Sequence, residues 1–524
     1  MSDPGPKSPA YDVVIIGGAL SGAATAVLLL SERPSLRVLI IEKSTAFSRR
    51  VGEATIEIST YFLRHCLGLT HHLNHCHLVK NGLRFWFANE RARTLADCSE
   101  VGGQYLSRVP AYLVDRAVLD EEVLRRAVEL GAELWRPASV QAVQLKAGGQ
   151  QTLTIRRNDS ITSVETRWVV DASGVAALLA RREGWWRPND AHPTTAVWSR
   201  WSETKDFDSL EITRKHPEWA AKCFGIRGTA TNHFMGDGWW AWWIALKGGD
   251  VSIGVVFDER LVEWPSGGAL GDRLKEFLLR HPVARELMAE AQWQEGDVHW
   301  RKRLPYFSTT YAGDGFALVG DAAAFLDPFY SPGMDWISFS ASSAAQLILA
   351  QQNGEAVAPL VAKMNEDYAR SYQRWFTAIY KDKYEYMGEF DLMRLAFLLD
   401  VGLYYLGVAS QPFMRGRGAL REPYYSTGPS TPFYHVMRIY NRRFARIARS
   451  RRARGQLGRF NDHRRALIKG FSFGPATALT VLKALLSWCR LELIEGWRTW
   501  MVSRAGVVPK PNPASTMIAQ AQSR

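Results

Sequence analysis

Residues 11–43 read YDVVIIGGALSGAATAVLLLSERPSLRVLIIEK. YDVVIIG predicts a buried strand, AATAVLLLSERP a helix and RVLIIEK a second buried strand. A helical crossover makes the two strands parallel. Being apolar on both faces, they need cover on both sides. The turn between strand and helix is Gly17-Gly18-Ala19-Leu20-Ser21-Gly22. It fits the dinucleotide-binding pattern G-x-G-x-x-G except at Ala19. The helix start offers free N–H groups and a positive dipole end to a diphosphate. Glu42, twenty residues after Gly22 and followed by Lys43, is placed to accept a ribose hydroxyl.

Working outward, 112–131 has apolar residues at helical spacing (Leu119, Val123, Leu124, Ala127, Leu130) and a stop at Gly131. Arg116 and Asp120 sit four apart on it. Trp168–Gly174 is an apolar strand ending in Asp171 and small residues, and Gly320-Asp321-Ala322-Ala323-Ala324 is a second such end. Residues 192–260 alternate as sheet with interleaved aromatics, and about 360–505 turns mostly helical. The expected organisation is α/β. It has a flexible start (1–10), a core over 11–350 with an inserted sheet near 185–305, a helical region 351–507 and a disordered Pro-rich tail 508–524.

The composition is that of a globular chain. Of 524 residues, 47% are hydrophobic and 22% charged, which excludes a disordered chain, a collagen and a coiled-coil rod. Five scattered cysteines suit a reducing compartment, and no signal peptide is expected. Residues 13–31 carry no charge, yet Gly17, Gly18 and Gly22 break them. Residues 395–409 are interrupted by Asp400, so no transmembrane helix is expected.

Taken in order, the Gly-rich turn, Glu42, Arg116 with Asp120, Asp171 and Gly320-Asp321 resemble the FAD-dependent monooxygenase superfamily with a glutathione-reductase-type Rossmann domain over about residues 10–345. Two further blocks resemble the flavin-dependent halogenases, of the tryptophan-halogenase-like type. Trp240-Ala241-Trp242-Trp243-Ile244 matches W-x-W-x-I, and Phe325–Gly333 matches F-x-x-P-x-x-S-x-G. Gly52-Glu53-Ala54 followed by Lys80-Asn81-Gly82 resembles the phenol and pyrrole branch, and DPFYSPGMD the halogenase-like proteins of aryl-polyene pathways.

The resemblance implies the following. FAD, supplied as FADH2 by a separate flavin reductase, is held by Gly17, Ala19, Ser21, Gly22, Glu42, Lys43, Gly52, Glu53, Ala54, Arg116, Asp171, Gly320, Asp321, Pro328, Gly333 and Met334. Trp240, Trp242 and Ile244 keep organic substrate from the flavin, and chloride or bromide lies near Ser331, Pro332 and Gly333. A flavin hydroperoxide oxidises the halide, and Lys80 passes the resulting hypohalous acid to an electron-rich ring. Tyr330 stands where halogenases of free tryptophan carry a catalytic Glu, which turns the expectation towards a phenol- or pyrrole-like ring. Ala245 replaces the Pro that ends the Trp motif.

The charge of +13 is concentrated. Residues 415–469 hold fourteen Arg and one Lys against Glu422 and Asp462, leaving the remainder neutral. Such a patch suits an acidic acyl carrier protein that tethers the substrate, or an anionic membrane at the inner face of an otherwise cytoplasmic setting; its alternative is a solvated helix surface. The stretch 476–502 repeats Leu and Trp at helical spacing and suits either a core helix or an interfacial one. No nucleic-acid module is expected. HCLGLTHHLNHCH (65–77) lacks a completing ligand set, so no metal is assigned. Competing expectations are an oxygen-inserting monooxygenase and a degenerate FAD-binding protein without turnover.

Overall fold

The computed structural model describes residues 10–499. The expected flexible start, Ala10 apart, and the tail 508–524 lie outside these residues.

The opening β-α-β unit comprises strand Ala10–Ile16, helix Leu20–Glu32 and strand Val38–Ile41. Both strands enter an eight-stranded sheet whose central order is Phe316–Leu318, Ser160–Asp171, Ala10–Ile16, Val38–Ile41, Glu133–Trp135, all parallel. Val13, Val14, Ile15, Leu39 and Ile40 are fully buried, as strands covered on both faces must be. The register decides where a ligand can sit. Ile16 pairs with Ile41 and Asp171, and Asp171 with Leu318, so these strands end level. Their following turns converge at one carboxyl edge, where open parallel sheets bind ligands.

A nine-stranded sheet forms the second layer, running Thr194–Ser202, Val251–Asp258, Trp239–Ala245, Thr231–Gly236, Leu83–Phe87, Ser99–Gly103 and Arg465–Ile468 along its main path. The sheet expected within 185–305 therefore recruits strands from both sides of that range. Arg465–Ile468 is a strand inside the Arg-rich segment, laid parallel on Ser99–Gly103. The C-terminal region is otherwise helical, with Gly333–Gln352, Ala358–Trp375, Phe390–Tyr404, Thr431–Arg452 and Pro475–Leu491 as its long helices.

The helix expected over 112–131 spans Arg116–Glu129, because Asp115 caps it by accepting the Ala117 N–H, while Tyr112–Leu113 pair as strand with Leu78–Val79. Phe390–Arg415 is the one helix among the described residues long and apolar enough to cross a membrane, and 72% of its apolar window is buried inside the protein.

The Arg-rich segment is not a free patch. Eight of its fourteen arginines reach carboxylates, seven of them to acids from outside the segment alone. Arg451 is fully buried among Glu389, Asp391 and Glu495. Much of the excess charge is thus spent holding the helices to the core.

Candidate active site

The nucleotide end sits on the converging turns. Gly22 is required by contact, since a Cβ there would lie 1.9 Å from the Gly17 carbonyl oxygen. Ala19 is extended (φ −69°, ψ −174°), a conformation open to any residue, which explains why alanine is tolerated in the fingerprint. Glu42 accepts from the Gly18 N–H at 2.9 Å and from Ser44 N and Oγ, so its carboxylate is anchored at the strand end. Lys43 beside it is exposed. Asp171 departs from expectation. It is fully buried, and its oxygens accept the Ser173 and Leu179 N–H groups at 2.9 and 2.7 Å. It caps the turn after its strand and is corrected from a cofactor contact to a structural residue.

Beyond this end lies a cavity of 190 Å³ lined by Gly52, Glu53, Ala54, Arg116, Asp321, Pro328, Ser331, Pro332, Gly333 and Met334. Arg116 is pinned in a two-pronged bond to Asp120, at 2.9 and 3.1 Å. Glu53 is held by Arg200 Nη2 at 2.8 Å, and burial pushes its carboxyl up. Asp321 is also pushed up by burial, with Arg301 and Arg116 pulling it back. Trp336 lines the cavity with a buried indole N–H that finds no hydrogen-bond partner among the described residues. The start of the twenty-residue helix Gly333–Gln352 adds unspent backbone N–H groups. A few fixed polar groups in mostly apolar walls fit a flavin ring and its ribityl chain.

Strand Trp239–Ala245 divides its aromatics by alternation. Trp240, Trp242 and Ile244 face this cavity, while Ala241 and Trp243 enter a second hydrophobic core behind the sheet. Trp240 Nε1 donates to Tyr384 Oη at 2.8 Å, Tyr384 Oη donates to Asp327 at 2.6 Å, and Asp327 also meets His192 at 2.9 Å. This chain fixes the Trp240 ring and the loop carrying Asp327 together.

That loop is a wall with two faces. Pro328, Ser331, Pro332 and Gly333 line the first cavity, whereas Tyr330 lines a second cavity of 110 Å³. The switch of sides is made by consecutive left-handed residues, Tyr330 (φ 70°) and Ser331 (φ 58°). Such strain in non-glycine residues clusters at functional sites. The Tyr330 hydroxyl is tied to Asp400 at 3.0 Å, which also pairs with Lys383 at 2.6 Å and accepts from Tyr440 at 2.6 Å.

Lys80 stands on the far side of this wall. It follows strand Leu78–Val79, is 1% exposed and lines the second cavity. Its Nζ donates to the Thr55 carbonyl at 2.9 Å. Burial lowers its pKa to about 8, against the opposing pull of Glu57 and Asp335. Glu57 faces the same cavity and accepts from Tyr405 Oη at 2.5 Å. Asp335, raised to about 7 by burial, accepts from Ser59 N, Tyr424 and Tyr404. Phe397, Trp375, Tyr404 and Tyr405 supply aromatic walls. His233 lines the first cavity, stacks on Phe85 at 4.8 Å and feels the charge of Lys80. Burial holds it neutral, with a pKa of about 3.

Of the expected residues, Gly52, Glu53, Ala54, Arg116, Asp321, Pro328, Gly333 and Met334 line the first cavity together with the Trp motif and Ser331, while Lys80 lines the second. Sequence reading did not find Glu57, His233, Asp335 or the Asp400–Lys383 pair. Glu57 alone carried a signal, being an acid four residues after Glu53.

Fold and cavity together define an FAD-binding protein of Rossmann type. Residues 10–218 match the FAD binding domain family. Flavin-dependent halogenase chlA of Dictyostelium discoideum is 25% identical over 373 residues, covering 64% of this chain and 60% of that protein. Flavin-dependent halogenase armH1 of Armillaria mellea is 27% identical over 366 residues, 66% of each chain. The aligned part spans less than two thirds of either relative. The crystal structure of halogenase PltM superposes with a TM-score of 0.69 at 19% identity, covering 91% of this chain and 96% of that one, a likeness of fold. The chain is thus similar to flavin-dependent halogenases in sequence, over about two thirds of its length, and in fold.

Proposed function

We propose that this chain is an FADH2-dependent halogenase of an electron-rich, phenol- or pyrrole-like ring, with Lys80 as the catalytic residue of halogen transfer. The reading rests above all on the separation of Lys80 and its aromatic cavity from the first cavity by the 325–334 wall. Oxygen insertion would place the substrate beside the flavin, and this wall opposes it.

FAD, held by Arg116, Glu53, Asp321, Gly333 and Met334 at the ring end and by the 17–22 turn and Glu42 at the nucleotide end, supplies when reduced the oxygen activation that oxidises halide. The N-terminus of helix Gly333–Gln352 offers free N–H groups and a positive dipole end to the halide. Trp240, Trp242 and Ile244 exclude water and organic substrate from that side. Across the wall, the Lys80 ammonium donates a hydrogen bond to hypohalous acid. The ring carbon then takes the halogen as the O–X bond breaks, Lys80 protonates the leaving hydroxide, and Glu57 accepts the ring proton. The reductase is a separate protein, the ring is presented free or on an acidic carrier, and the chain works in the cytoplasm.

The test mixes the protein with photoreduced FAD, oxygen, bromide, catalase and an electron-rich phenol, with product read by mass spectrometry. Protein-dependent bromination is expected. A hydroxylated phenol would overturn the reading in favour of a monooxygenase, and flavin binding without any halide effect in favour of a degenerate flavoprotein.

A further inference from the structure

The last described helix carries its apolar residues on the wrong side for a core helix. Pro475–Leu491 continues through the π-turn Glu492–Gly496 to residue 499. Its inward face packs Val481 on Gly402 and Trp488 on Tyr440 and Phe444. Leu479, Leu482, Leu486, Leu493, Ile494 and Trp497 point outward, each between 51% and 80% exposed. Leu479, Leu482 and Leu486 follow at three- and four-residue steps, and Leu493, Ile494 and Trp497 carry the exposed face across the π-turn, along about 30 Å of helix. Phe413 and Met414 extend the stripe, Met414 being 76% exposed and the Phe413 ring packed at a tilt 4.7 Å from Phe473 at the helix approach.

Charge is sorted by face as well. Lys483, Arg490 and Arg498 are exposed along the stripe. The helix's acids turn inward, Glu492 to Arg443 at 2.9 Å and Glu495, buried, to Arg451 at 3.0 Å. The neighbouring helix Thr431–Arg452 adds exposed Ile439 beside Arg438 and Arg442. Arg446 there is crowded by Arg442, Arg443 and Arg449. An outward face of large apolar residues and of cations that meet no acid among the described residues matches an anionic bilayer surface. It does not match itself, because a two-fold dimer through this face would set like charges against each other. A stripe of this length, with cations spaced along it, suits an extended flat target.

We propose that the helix 475–499 seats this protein on anionic lipid, with its Leu/Ile/Trp stripe in the acyl boundary and Lys483, Arg490 and Arg498 at the headgroups. Seating there sets the second cavity beside the bilayer. Phe471 lines that cavity, and Phe473 packs 5.3 Å from Tyr405, another of its lining residues. A lipid-dissolved aromatic substrate would then have a short path to Lys80.

The experiment is flotation of the full chain with phosphatidylcholine vesicles, with and without phosphatidylglycerol. Two variants, K483Q/R490Q/R498Q and L486S/L493S, run beside it, with near-ultraviolet circular dichroism and flavin absorbance to check folding. Wild type is expected to bind the anionic vesicles and not the neutral ones. Each cation near the surface contributes about fivefold, so the charge variant should lose roughly a hundredfold in affinity. The apolar variant should lose at least about tenfold. Absence of wild-type binding, or binding indifferent to both variants, would overturn the proposal. So would a dimer in vesicle-free solution that either variant abolishes, or variant-sensitive capture of an acidic acyl carrier protein without vesicle binding.

Discussion

Replacing Lys80 by methionine should make the folded chain more stable while destroying its chemistry. The ammonium is 1% exposed, and burial lowers its pKa from the ordinary 10.5 to about 8. At about 1.4 kcal/mol per pH unit, carrying the charge inside at pH 7 costs about 3 kcal/mol. Methionine fills a similar volume without the charge. The lost bond to the Thr55 carbonyl gives back about 1 kcal/mol, leaving a net gain of about 2 kcal/mol. The sign follows from proton counts. Between pH 8 and 10.5 the unfolded lysine binds a proton that the folded one has shed, so wild-type stability rises with pH across that window. The advantage of Lys80→Met is therefore full below pH 8 and gone by about 10.5. The assay is thermal unfolding of the flavin-free proteins by circular dichroism at both pH extremes. An upward shift of roughly 2 °C at pH 7 that vanishes at high pH is expected. A less stable variant at pH 7, or a shift independent of pH, would refute the reasoning that Lys80 is held as a desolvated charge.

Asp400→Asn leaves Lys383 buried without its counter-charge and loosens Tyr330 and Tyr440, so urea unfolding should show a loss of about 3–5 kcal/mol together with a disordered second cavity. Gly320→Ala places a Cβ 2.5 Å from Ser21 Oγ at φ +62°, between the two nucleotide turns. FAD titration should show affinity falling by about tenfold or more, with a conformational cost of about 1–2 kcal/mol. Asp335 keeps its proton to about pH 7 in the fold and releases it near 3.8 when unfolded. Its stabilisation is full below pH 3.8 and lost as pH rises through 7, and Asp335→Asn should flatten the decline in unfolding free energy over that range.

The local signals were legible and the distant ones were not. The β-α-β opening could be read because a strand, a tight turn and an apolar helix are each coded by neighbouring residues. Trp240, Trp242 and Ile244 were separable from Trp239 and Trp243 by period-two alternation, and the structure sends the two sets to different layers. The sheet partners Leu83–Phe87 and Arg465–Ile468 were missed because pairing across hundreds of residues leaves no mark in either strand. Asp171 was assigned to the cofactor from its strand-end position, yet the sharp turn after it needed its own cap, and the carboxylate went there. The Arg-rich segment looked like a surface because its partners, such as Glu32, Asp237 and Glu100, are remote in the chain. Asp400 looked like an interruption in an apolar helix, while Lys383, Tyr330 and Tyr440 make it the hub of a buried network.

The most direct test of Lys80 as the transfer residue compares wild type with Lys80→Ala under one set of conditions: reduced FAD, oxygen, bromide, catalase and a phenol. Flavin reoxidation and brominated product are followed together, with free reduced FAD as the blank. The expected result is flavin reoxidation at the wild-type rate with bromination reduced at least about hundredfold. Bromination by the variant at the wild-type yield and ring position would contradict transfer through Lys80.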